Sequence, residues 1–208
     1  MEQTSYNTLK IRSMSEVSQE AITYIAGRRD HSIVSLKTRW PKFNKQCMGG
    51  IEPNTVYTIA GISGSGKSSF GNEIATDIID LNPSENIIIL NFSLEMVGFR
   101  QVGRTLSNKL KKTTSELYSS EKDLDDKTFD KVVTVANQLK KYPIYFVDNP
   151  GTSKQVEETI MAFYNKYIKG TNKHFIIMYD HALLTKREGT VIETISNLLQ
   201  VFIQVKKL

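Results

Sequence analysis

One cysteine, Cys47, stands in a chain of 208 residues, so neither an intrachain disulfide nor a thiolate metal cluster can be built, in keeping with a reducing compartment. The three histidines, His31, His174 and His181, are scattered and lack any metal-ligand spacing. Apolar runs such as Ile87 to Leu90 fall far short of the ~20 residues that cross a bilayer, which excludes a membrane-spanning helix. The amino-terminal stretch MEQTSYNTLKIR has no apolar core of ~7 to 15 residues, so no secretory signal is legible and a cytoplasmic protein is expected. Charge of one sign is not in large excess. The 27 basic and 22 acidic residues leave +5, which leans towards a polyanionic partner without deciding for one. Internal repeats and low-complexity tracts are absent too. With 39% hydrophobic and 24% charged residues, collagen-like, mucin-like and wholly disordered classes are excluded.

The glycines are unevenly distributed: six of twelve fall between Gly49 and Gly71, where the backbone must do something special. Ahead of that window, Ser13 to Arg29 predicts a helix, with Met14, Val17, Ala21 and Ile25 spaced by three and four and Glu16 in the first turn. Residues 30–50 look irregular, with Trp40-Pro41 restricting the backbone and Gly49-Gly50 marking a turn. A division into a linker segment, 1–38, and a core, 39–208, follows. From Val56 onward short apolar runs alternate with helical stretches, the pattern of βαβ units and a mainly parallel sheet. The expected strands are 56–60, 87–92, 144–148 and 174–180. The expected helices are 67–81, 97–111, 128–141, 153–168 and 190–208, and Glu121 to Lys127 reads as a solvated loop or helix start.

Gly61-Ile62-Ser63-Gly64-Ser65-Gly66-Lys67-Ser68 matches G-x-x-x-x-G-K-[ST] and sits between an expected strand and an expected helix, which is where the mechanism needs it. Small residues let successive backbone N–H groups turn inward around phosphate oxygens, and the helix start adds roughly half a positive charge. Lys67 then reaches the β- and γ-phosphates of ATP, the Ser68 hydroxyl suits Mg²⁺, and Ser69 lies within reach of the α-phosphate. Hydrolysis needs carboxylates as well. Asp180 closes the run Phe175 to Tyr179, so it is expected at the carboxyl edge of the sheet as the Walker B metal-supporting residue. Glu95 follows the run Ile87 to Phe92 and projects from the same edge, where it either activates water or merely favours a helix start. Asp148 is followed by Asn149-Pro150-Gly151 and reads as a turn residue.

In this order the motifs resemble replicative DNA helicases of the DnaB type: the phosphate loop, then Phe92-Ser-Leu-Glu-Met96, then Ile144-Tyr-Phe-Val-Asp148, then Ile176-Ile-Met-Tyr-Asp-His181. The resemblance covers roughly residues 13–208. It implies an α/β, three-layer RecA-like P-loop NTPase fold preceded by a linker helix, and it implies that Glu95 is the catalytic base. It further implies a ring of six motors joined through helix 13–26, with single-stranded DNA in the centre and Lys186 and Arg187, after Walker B, as phosphate contacts. Asp180-His181 is similar to phage primase-helicases, and Ala182 and Leu183 stand where bacterial relatives carry Tyr and Gln, which points to a viral or divergent member acting in a bacterial cell or phage-infected host. Nothing after Leu208 supplies the further strand that such sheets place between the Walker A and Walker B strands. An incomplete sheet is therefore expected, in a fragment that does not unwind DNA by itself. Recombinases and clock-type ATPases share the same parts, and a non-catalytic regulator of a helicase ring is the remaining alternative.

Overall fold

In a computed structural model, the protein is described over residues 10–121, 123–206 and 208. Residues 1–9, on which part of the signal-peptide and linker expectations fall, and Lys122 and Lys207 lie outside the described residues. The chain separates into two compact units that meet in sequence between Ser35 and Leu36.

The first unit contains helix α1, Met14–Arg29. It begins where the sequence predicts because Ser13 and Glu16 form a reciprocal capping box: the Glu16 amide donates to Ser13 Oγ at 3.2 Å, and the Ser13 amide donates to Glu16 Oε2 at 2.6 Å. Arg28 and Arg29 sit in the last turn, the favourable end for cations. Ile33 then folds back on Gly27, whose missing side chain matters: a Cβ there would lie 2.7 Å from Ile33 Cδ1. Met14, Val17 and Ile25 are exposed, and so is Ile22, so apolar groups are not confined to one stripe of α1.

The second unit is built on a three-stranded parallel sheet. Its elements, in chain order, are α2 (Pro41–Gln46), α3 (Lys67–Asp80), β1 (Ile87–Ser93), α4 (Gly98–Leu110), α5 (Thr114–Tyr118), α6 (Asp126–Leu139), β2 (Ile144–Val147), α7 (Ser153–Tyr167), β3 (His174–Asp180) and α8 (Val191–Val205). The strand order is β2-β1-β3, with Leu90 opposite both Tyr145 and Ile177 and Ser93 opposite Asp180. Every residue of β1 is buried, which explains the continuous apolar run: a central parallel strand is covered on both faces. Ile87 and Ile89 pack with Ile74, Ala75 and Ile78 of α3 and with Leu36. Ile88, Leu90 and Phe92 pack on the opposite side with Val156, Ile160 and Phe163 of α7 and Leu198, Val201 and Val205 of α8. Two helical layers thus enclose the sheet. Side chains such as Ile89 and Ile160, both fully buried, each contribute about 1.5–3 kcal/mol by leaving water.

One expected strand is corrected. Residues 56–60 form no ladder, and Val56, Tyr57 and Ile59 are exposed. Alternation predicts a strand, but a strand exists only beside a hydrogen-bonding neighbour. Both edges of β1 are taken by β2 and β3, and among the described residues the outer edge of β3 pairs with nothing. The outer edge of β2 is likewise unpaired among the described residues, and with three strands the sheet is incomplete. The short helix α2 appears where irregular chain is expected, and α5 lies in a stretch for which no element is expected.

Candidate nucleotide site

Residues 61–66 form an exposed turn that runs directly into α3. Gly64 and Gly66 lie at φ 77° and 89°, the left-handed region that side chains disfavour, so the glycines of the motif are where the backbone requires them. Gly66 is also the N-cap of α3, and no side chain caps that helix or places an acid in its first turn. By contrast α1, α5, α7 and α8 all close with capping boxes. The leading amides of α3 are thus free of side-chain acceptors and, with the helix dipole, suit an anion. Lys67 Nζ spans the mouth of the loop, donating to the carbonyls of Gly61 and Ile62 at 2.9 Å each. Ser68, next along, is half-buried, and Ser69 is exposed.

The two carboxylate residues meet at the carboxyl ends of adjacent strands. Asp180 is the last residue of β3 and Ser93 the last of β1, paired in register. The chain then bends through Leu94, Glu95 and Met96, and the Leu94 and Glu95 amides both donate to the Asp180 carbonyl, at 2.7 and 3.4 Å. Glu95 is exposed. Along β3 alternate residues share a face, so Asp180 lies on the side of Ile176 and Met178, which pack with α3. A Cβ on Gly71, in the first turns of α3, would stand 3.6 Å from Met178 Cε. The phosphate-loop helix, Asp180 and the Glu95 bend therefore occupy one rim of the sheet, the position at which parallel α/β sheets bind ligands.

Residues 35–207 match the DnaB-like helicase C-terminal domain. The chain belongs to that family. A DnaB-like replicative helicase, solved in a study of its interactions with primase, superposes with a TM-score of 0.70 at 16% identity, over 97% of this chain and 48% of that one. A solved ATPase domain superposes with a TM-score of 0.72 at 15% identity, over 91% of this chain and 66% of the other. This chain thus spans between about half and two thirds of the length of these structures. No curated protein matches it in sequence.

The remaining residues of this DnaB-like domain fall into two groups. Lys186 and Arg187 are exposed on the loop after the short turn Ala182–Leu184 and form no ion pair among the described residues. That loop is anchored: the Lys186 amide donates to the Gly151 carbonyl at 2.9 Å, and Glu188 Oε2 accepts from the Ser153 amide at the start of α7 at 2.9 Å. Asp148 has a structural partner, its Oδ1 accepting from the Gly98 amide at the start of α4 at 3.0 Å. His181 Nδ1 accepts from the Leu183 amide at 3.2 Å, closing the turn after β3. Sequence reasoning missed Asn91 and Gln101, which are buried and bonded to each other beside the Glu95 bend. The one signal available was a polar Asn in the middle of an otherwise apolar strand.

Proposed function

We propose that this DnaB-like domain is the ATP-hydrolysing motor of a replicative helicase, coupling turnover to movement along single-stranded DNA and to duplex unwinding. The observation that carries this reading is the Asp180 carbonyl accepting from both the Leu94 and Glu95 amides, which ties the Glu95 bend to the end of the Asp180 strand beside the phosphate loop.

In this reading the amides of residues 61–66 and the start of α3 hold the phosphates, and Lys67 leaves the Gly61 and Ile62 carbonyls for the β- and γ-phosphate oxygens. The Glu95 carboxylate accepts a proton from water as the water oxygen bonds to the γ-phosphorus. The bond from that phosphorus to the bridging oxygen breaks, and ADP departs with the electron pair. Lys67 and the loop amides offset the negative charge that develops on the transferring group. The donor set fits Mg²⁺: Ser68 and Asp180 offer hard oxygen ligands. Among the described residues no cluster of three or more His, Cys, Asp or Glu forms an all-protein cage, in keeping with an ion that takes much of its shell from phosphate and water. Bound there, Mg²⁺ would neutralise phosphate charge.

Residues 1–38 act as the linker segment and 39–208 as the motor core. Six copies join through helix 13–26, and Lys186 and Arg187 contact the DNA backbone. No helix among the described residues is long and apolar enough to cross a membrane. The test is steady-state ATP hydrolysis by the full-length protein with and without single-stranded DNA. Mg²⁺-dependent turnover that rises with DNA is expected, and no hydrolysis under either condition contradicts the reading.

A further inference from the structure

The central strand carries two polar side chains in its buried carboxyl half, Asn91 and Ser93, only 5% and 1% exposed. Both lie on the face shared with Ile87 and Ile89, and there they meet Gln101, itself 6% exposed, in the first turn of α4. Asn91 Nδ2 donates to Gln101 Oε1 at 2.8 Å. Gln101 Nε2 donates to Ser93 Oγ at 2.7 Å, and the Ser93 hydroxyl donates onward to the Met96 carbonyl.

Every donor in this chain points the same way. Because the Ser93 proton is committed to Met96, Ser93 Oγ can only accept from Gln101, and that fixes which end of the Gln101 amide faces which neighbour. The relay ends on Met96 and passes through Ser93, the residues bounding Leu94 and Glu95. The same bend is held from the other side by the Asp180 carbonyl, and the start of α4 is held by Asp148 through the Gly98 amide. Glu95 is thus an exposed side chain on a backbone clamped at both flanks, and Gln101 joins the end of β1 to the helix within that clamp.

We infer that Gln101 is a positioning residue for Glu95: it fixes the 94–96 bend so that the Glu95 carboxylate is held against the attacking water, without itself touching substrate. The inference rests on the proposed role of Glu95. A fully satisfied polar network in a buried setting rigidifies what it connects, and a small displacement of a catalytic group costs turnover more than it costs binding.

The experiment measures kcat, KM and the Kd for a non-hydrolysable ATP analogue in the full-length protein carrying Gln101→Met, Gln101→Glu or Ser93→Ala, each alone and combined with Glu95→Gln. Gln101→Met keeps length and volume but removes both hydrogen bonds. Gln101→Glu retains the acceptor for Asn91 and loses the donor to Ser93. The expected result is a fall in kcat of about tenfold or more in all three, with analogue Kd within about twofold of the parent, and no further loss when each is added to Glu95→Gln. If Gln101→Met melts below the assay temperature, Ser93→Ala, which removes a single oxygen, decides. Unchanged kcat in the folded variants overturns the inference. So do losses that multiply with that of Glu95→Gln, or a parallel loss of analogue affinity. Undiminished turnover in Glu95→Gln alone instead overturns the role of Glu95, and is thereby told apart from a failure of Gln101.

Discussion

Arg39 closes a fork on Asp77: its Nε and Nη2 lie 2.8 and 2.6 Å from Asp77 Oδ1, and its backbone amide donates to Oδ2 at 3.0 Å. The pair ties the segment ahead of the glycine-rich loop to the last turn of α3. The hydrogen bonds that Arg39 donates to Asp77 raise the guanidinium pKa above its ordinary value, against the opposing effect of burial. The two partners are unequally exposed, with side-chain accessibilities of 46% for Arg39 and 4% for Asp77.

That inequality predicts unequal costs. Arg39→Ala removes the guanidinium and leaves the buried Asp77 carboxylate with the backbone amide of residue 39, and should destabilise by about 3–4 kcal/mol. Asp77→Ala leaves a guanidinium that can turn to water, and should cost only about 1–3 kcal/mol. Urea unfolding of both variants checks the order, and equal losses would contradict it.

Acid should reach the cap of α5 late. The Thr113 amide and hydroxyl donate to Glu116 Oε2 at 2.7 and 2.9 Å, and Lys112 adds an ion pair. The backbone bond from Thr113 is the leading cause that holds this carboxyl at about 2, below the ordinary 4.5. A depressed folded-state value means that the cap's contribution is complete above pH 4.5 and is lost as pH falls through about 2. Carboxyl NMR titration should therefore find the Glu116 midpoint near 2, and Thr113→Ala, which removes the hydroxyl and keeps the backbone bond, should move it part of the way up towards 4.5.

Removing the exposed cations Lys186 and Arg187 should weaken single-stranded DNA binding and flatten its salt dependence. With about 0.7 in the log–log slope per phosphate contact, the double alanine variant should lose about 1.4. Fluorescence anisotropy across a salt series on the full-length protein reads the slope, and an unchanged slope would remove these residues from the DNA path.

The parts of the fold legible in the sequence are those decided locally. The runs that become β1 and β3 announce themselves because the strands of a parallel sheet covered by helices on both faces are mostly apolar. Helix starts at Ser13, Thr152 and Thr190 are legible because their caps lie within three residues. The phosphate loop is legible for the same reason, its glycines at positive φ being a local backbone demand. Residues 56–60 mislead because alternation describes a strand's faces and says nothing of whether a neighbour is present to pair with. The six-residue α2 and five-residue α5 are too short for a period to show. Gln101 is invisible for a different reason: a polar residue on an amphipathic helix looks solvated until Asn91 and Ser93, eight to ten residues away in sequence, are brought against it.

The central claim is that Glu95, held at the end of β1 against Asp180, takes the proton from the attacking water. Glu95→Gln keeps the shape of the side chain and removes the base, so single-turnover ATP hydrolysis by the full-length protein, run beside nucleotide binding, tests it most directly. The account predicts a fall in hydrolysis of at least about 100-fold with nucleotide affinity within about twofold of the parent. Hydrolysis at close to the parent rate would contradict it.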